Sequence, residues 1–144
     1  MVSQLTFGTF ITLVSLLSGA VLWWGFSNAL DRIQPWFVRP PYARKSLLVI
    51  MLVIICTMLM MTLGVWLWAI AFQAIDVFAT LEEAVFFSLV AYTTLGLGDV
   101  HIPLEHRLLG GMAGANGFLM FGLMTAMLTD TLRHVRRVQH HLDD

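Results

Sequence analysis

The sequence predicts an all-α membrane protein with three transmembrane helices and, between the last two, a short re-entrant helix that leads into a glycine-bearing loop. Three observations predict it. Of 144 residues, 58% are hydrophobic and 12% charged, a balance too apolar for a soluble domain of this length. Three runs, residues 5–30, 46–72 and 108–132, exceed the roughly 20 helical residues that a bilayer core demands, and Asp130 is the one charge within them. The apolar stretch 81–92 is too short to span.

The first helix occupies the N-terminal segment, residues 1–30. Residues 1–8 carry no Lys or Arg, whereas a cleavable leader opens on a basic region, so this helix is expected to be retained. Residues 31–45 form a linker in which Pro35, Pro40 and Pro41 lack backbone donors and are expected to end helices. The pore-forming part is expected over residues 46–132, with its outer helix at 46–72 and its inner helix at 108–132, and the tail at 133–144 is too short for a ligand-binding domain.

Charge sorting gives the orientation. Arg32, Arg39, Arg44 and Lys45 lie between the first two helices, and Arg133, Arg136 and Arg137 follow the third, leaving Arg107 alone on the other side. Basic residues in short loops collect on the cytoplasmic face, which makes the linker and the tail cytoplasmic. The N-terminus and the acidic stretch 73–107, with Asp76, Glu82, Glu83, Asp99 and Glu105, are then extracytoplasmic. Trp66 and Trp68 near the outer end of the second helix, and Trp23, Trp24 and Trp36 near the inner end of the first, suit headgroup-depth belts.

The chemistry-bearing part lies between the second and third helices. Thr80 followed three residues later by Glu83 is a capping-box pattern, so a helix is expected over 81–92, and Val85, Phe86, Phe87, Leu89 and Val90 make it too apolar for water. Next come Thr93, Thr94, Leu95, Gly96, Leu97, Gly98 and Asp99, where two glycines open backbone angles closed to other residues. Irregular backbone at membrane depth has to be buried in protein or line a polar path.

This stretch resembles the filter signature of the potassium-channel pore-loop family, in which Thr, an aliphatic residue, Gly, an aromatic residue or Leu, Gly and Asp follow one another. The resemblance extends over about residues 47–132: Phe86 and Phe87 sit where these channels carry an aromatic cuff, and the stretch from Phe121 through Gly122, Leu123, Met124 and Thr125 to Ala126 is similar to their inner helix. It implies a tetramer around one axis, with carbonyls replacing an ion's water shell. By position, Thr94, Leu95, Gly96 and Leu97 would hold potassium and Gly98 would complete the ion-conducting filter at 93–99. Thr93, Asp99, Phe86 and Phe87 would support it. Gly117, Phe121, Thr125 and Thr129 would belong to the cavity and gate. The C-terminal end of the 81–92 helix would aim its partial negative charge at a cation in that cavity. The implied partners are three further copies of the chain and membrane lipid, with no nucleic acid, and the implied permeant species is potassium, with no cofactor.

Three positions depart from the family pattern. Leu97 stands for the commoner Tyr or Phe, Leu95 for Val or Ile, and Val90 for an acid in the short helix, which removes two polar braces of the filter. Blander readings accompany several residues. Gly110, Gly111, Gly114 and Gly117 suit close helix packing as well as a hinge at Gly117. Asp130 can pair with Arg133 or His134, His134, His140 and His141 suit a solvated tail, and Met58, Met60, Met61 and Cys56 suit apolar packing. With one cysteine the chain cannot build a disulfide.

The sequence therefore predicts a passive potassium channel subunit, not an enzyme, in a prokaryotic plasma membrane. Two alternatives stand beside it: a weakly selective monovalent cation channel, and a non-conducting scaffold or sensor on the same fold. Gly8, Gly19 and Gly25 suggest that the first helix wraps onto a neighbouring subunit.

Overall fold

The computed structural model describes the backbone of residues 1–37 and 42–140 and the side chains of 1–30, 32 and 47–133. Arg39, Pro40, Pro41 and His141, with the side chains of Arg44, Lys45, His134, Arg136, Arg137 and His140, lie outside the described residues. The chain forms four helices: α1 Val2–Phe37, α2 Tyr42–Ala74, α3 Leu81–Tyr92 and α4 Arg107–His140. Three of them contain stretches long and apolar enough to cross a membrane, at Val2–Leu30, Leu47–Ala74 and Arg107–Arg133. The long helices outrun the apolar runs at their polar ends. α1 continues through Pro35 to Phe37, since a proline removes one helical hydrogen bond without undoing those on either side. α4 carries the first eight residues of the expected tail.

α1 and α4 run in the same direction, with Gly8 against Leu109 and Met112 and Gly19 against Met120. α2 runs opposite to them, so that Cys56 and Met60 meet Met127 at one end while Trp68 and Phe72 share the other end with Leu109 and Ala113. The glycines expected to face a neighbouring subunit are thus used within the chain at positions 8 and 19. A Cβ on Gly25 would meet no atom within 4 Å.

The main core gathers where α3 lies against α2 and α4. Phe72 lies tilted against Trp68 at 5.5 Å and packs edge-on against Phe78 at 5.8 Å and Phe87 at 5.4 Å, the edge-on pairs being a geometry that aromatic quadrupoles favour. α2 ends in a paired turn, Asp76 N–H donating to the Gln73 carbonyl and Val77 N–H to that of Phe72. Asp76 takes the left-handed conformation there, φ 53°, in place of the usual glycine.

α3 descends beside the first half of α4. Phe87 is level with Gly110, Ala91 with Gly114 and Tyr92 with Gly117, while the Tyr92 hydroxyl reaches Gly64 of α2. Gly64 and Gly117 both lie near the middle of their spans. The short helix therefore ends about halfway along its neighbours, and by Ile102, packed beside Gly110, the chain has returned to the end from which it started.

Candidate functional site

The segment 93–99 begins from a helix end of defined geometry. Thr80 caps the start of α3, its hydroxyl accepting from Glu83 N–H at 3.2 Å, so the capping expectation holds on the threonine side. At the other end Thr94 N–H donates to the Ala91 carbonyl at 2.9 Å and Leu95 N–H to that of Val90 at 3.0 Å, the pair of bonds of a Schellman stop. That stop needs a left-handed residue, and Thr94 supplies it at φ 57°. A β-branched residue rarely adopts this region, and holding one there costs about 1–3 kcal/mol. The hydroxyl of Thr93 donates to the Leu89 carbonyl at 2.7 Å.

Beyond the stop the backbone alternates. Thr94, Gly96 and Gly98 have φ of 57°, 62° and 78°, and the leucines between them are not in the positive-φ region. In an ordinary strand all residues share one sign of φ and successive carbonyls point to opposite sides. Alternating the sign turns every second peptide over, so that consecutive carbonyls can face one way. Glycine supplies this conformation without a steric cost, and a Cβ on either glycine would meet nothing within 4 Å. Within one chain, the requirement at Gly96 and Gly98 is one of backbone angle.

Two cavities flank the segment. One, about 430 Å³, lies below α3 and is lined by Tyr92, Thr93, Thr94, Gly117, Phe118 and Phe121, with Met61 and Met124 closing its wall. The other, about 340 Å³, lies behind the strand, between Phe86, Phe87 and Val90 of α3 and Gly96, Gly98 and Asp99. The two predicted cuff residues part company. Phe87 joins the aromatic core beside Phe78 at 5.1 Å, while Phe86 borders the cavity behind the strand and is 37% exposed. Leu95 and Leu97 are exposed as well.

α4 brings some of its predicted residues to this site and holds others lower. Gly117 and Phe121 reach the lower cavity; Thr125 and Thr129 do not line it. Their hydroxyls donate back along the helix to Phe121 and Thr125 carbonyls, at 2.9 Å each. Of the two readings open for Gly117, the geometry carries packing: a Cβ there would overlap the Tyr92 carbonyl, and one on Gly114 would stand 3.3 Å from that of Ala91.

Sequence reasoning missed the centre of this arrangement. Tyr92 is buried, its hydroxyl 3.4 Å from that of Ser15 and its ring so close that a Cβ on Gly64 would overlap it. The signal available was a face of small residues, Gly8, Ser15 and Gly19, spaced by seven and four along α1. Asn116 also went unnoticed; it is fully buried, and neither atom of its amide has a partner among the described residues.

These features define a membrane protein of three apolar helices with a half-depth helix followed by an unwound segment. Comparison with known protein families matches residues 47–134 to the ion channel family, and the chain belongs to that family, the pore-loop ion channels. Neither the curated proteins nor the solved structures contain a match to the chain.

Proposed function

We propose that the chain is one subunit of a homotetrameric potassium channel in the plasma membrane, conducting passively through a filter built from residues 93–99 of four copies. α3 is its re-entrant pore helix, residues 46–132 its pore domain, residues 31–45 its cytoplasmic linker, and 133–144 its cytoplasmic tail. The observation that carries the reading is the alternation of backbone sign from Thr94 to Gly98, which frees the carbonyls of Thr94, Leu95, Gly96 and Leu97 to coordinate a dehydrated potassium ion, with no cofactor. Thr93, Asp99, Phe86 and Phe87 support that strand, and Phe121, Thr125 and Thr129 line the path below it, with Gly117 where that path begins.

Energetics favour a cation in the lower cavity. The carbonyls at the end of α3 that have no intrahelical partner carry the negative end of its dipole, and four such ends around one axis would offset part of an ion's lost hydration. The basic linker and tail support a cytoplasmic C-terminus and an N-terminus outside.

A second reading is a pore that passes sodium and potassium alike. It is favoured by Leu95 and Leu97, exposed side chains with no polar group to brace the strand. Potassium flux into liposomes holding the purified protein tests the proposal, compared with sodium flux and with Gly96→Ala. Potassium-preferring flux that the substitution abolishes is expected. Equal flux of the two ions selects the second reading, and no flux from a well-formed tetramer rejects both in favour of a scaffold.

A further inference from the structure

α1 lies outside the stretch matched to the ion channel family, and conduction through residues 93–99 assigns it no task. Ser15 stands near the middle of its apolar span and is fully buried. Among the described residues, its bond to Tyr92 is the one hydrogen bond joining two side chains. Tyr92 is the last residue of α3 and directly precedes Thr93 and Thr94. Its ring lies against Gly64 of α2 and its carbonyl against Gly117 of α4.

We infer that α1 is a positioning element of the filter, acting through the Ser15–Tyr92 hydroxyl pair. The inference rests on the pore reading of residues 93–99. A phenol hydroxyl in a membrane interior strongly prefers a partner to apolar surroundings, so Ser15 sets where the far end of the ring stands. Gly64 bears on the hydroxyl end of the ring as well, and Gly117 on the backbone at its root. A ring held at both ends has little room to move, and Thr94, two residues on, inherits its position. A displacement of α1 along α4 therefore moves the innermost carbonyls of the strand. Tyr92 and Ser15 are positioning residues: Tyr92 borders the lower cavity, but the hydroxyl that meets Ser15 is buried among the helices and acts on the strand through Thr93 and Thr94.

Bi-ionic reversal potentials of the full-length protein in planar bilayers test this, with potassium on one side and sodium on the other. Ser15→Ala and Tyr92→Phe each remove one hydroxyl of the pair. Each is expected to lower the potassium-to-sodium permeability ratio about fivefold, the factor equivalent to a net hydrogen bond of about 1 kcal/mol. The double variant is expected to fall no further, because both changes delete one bond. Gly25→Ala, whose added methyl group meets no atom within 4 Å and so leaves α1 where it stands, is expected to keep the wild-type ratio. Unchanged ratios in both single variants of a selective wild type, even with a lowered melting temperature, would overturn the inference and leave the pore reading intact. So would additive losses in the double variant. A wild-type protein that shows no preference for potassium rejects the selective-filter reading first, and the inference with it.

Discussion

The glycines of residues 93–99 and those of the membrane-spanning helices are required for opposite reasons. Gly96 and Gly98 sit in open space with left-handed backbones; it is their φ that no ordinary residue shares cheaply. Gly64 and Gly117 lie in regular helices, where any residue could adopt the backbone, and there the neighbouring atoms of Tyr92 forbid a side chain. One region is specified by conformation and the other by contact. The lesson is that a glycine in this chain reports a strand's shape in the first case and the seat of a helix in the second, and substitutions separate the two.

The largest effect is expected at Gly117. Alanine there collides with a backbone carbonyl, which cannot rotate away as a side chain can, and over-packing of this kind costs about 3 kcal/mol or more per chain. Gly117→Ala should therefore lose the folded protein itself, seen as aggregation in detergent size-exclusion chromatography; a well-behaved Gly117→Ala protein with altered gating alone would favour the hinge over the seat. Gly64→Ala should be milder, about 1–3 kcal/mol, because the ring of Tyr92 can shift at the expense of its bond to Ser15. A thermal melt of the purified protein checks it.

Gly96→Ala reverses the pattern. It meets no neighbour and pays only the left-handed backbone cost of roughly 1–2 kcal/mol, so the melting temperature should move little while flux disappears. D-alanine introduced at position 96 by semisynthesis adds the same methyl group yet favours positive φ, and it should retain flux; if both enantiomers abolish conduction, space and not conformation governs the site. The smallest effect is expected at Gly25, where a methyl group meets nothing. Alanine there should be neutral or stabilise by about 0.5–1 kcal/mol through its better helix propensity, as read by the same melt.

Much of the fold was legible because the bilayer imposes a length and an apolar run on every span, and the three runs became α1, α2 and α4. The helix at 81–92 was legible from Thr80 and its apolar content, down to both end residues. The helix ends were not, since Pro35 weighs on one hydrogen bond while the helix is held by many. The resemblance of residues 93–99 to a filter signature was visible as letters, and the alternating backbone of that segment follows from the two glycines, except at Thr94. There the left-handed turn falls on a β-branched residue, which propensity argues against and which the two bonds back to α3 impose. Tyr92 escaped notice because its meaning depends on Ser15, 77 positions away, and on two glycines of different helices. Such contacts leave no local pattern beyond small residues on one face.

The most direct test of the central claim is the reversal potential of single wild-type channels in a planar bilayer with potassium on one side and sodium on the other. A potential displaced far toward the potassium equilibrium value is the predicted result, because only a strand of aligned carbonyls replaces the hydration shell of one ion better than the other. A potential near zero would contradict the account: conduction would remain, but the alternating backbone from Thr94 to Gly98 would not be acting as a potassium filter.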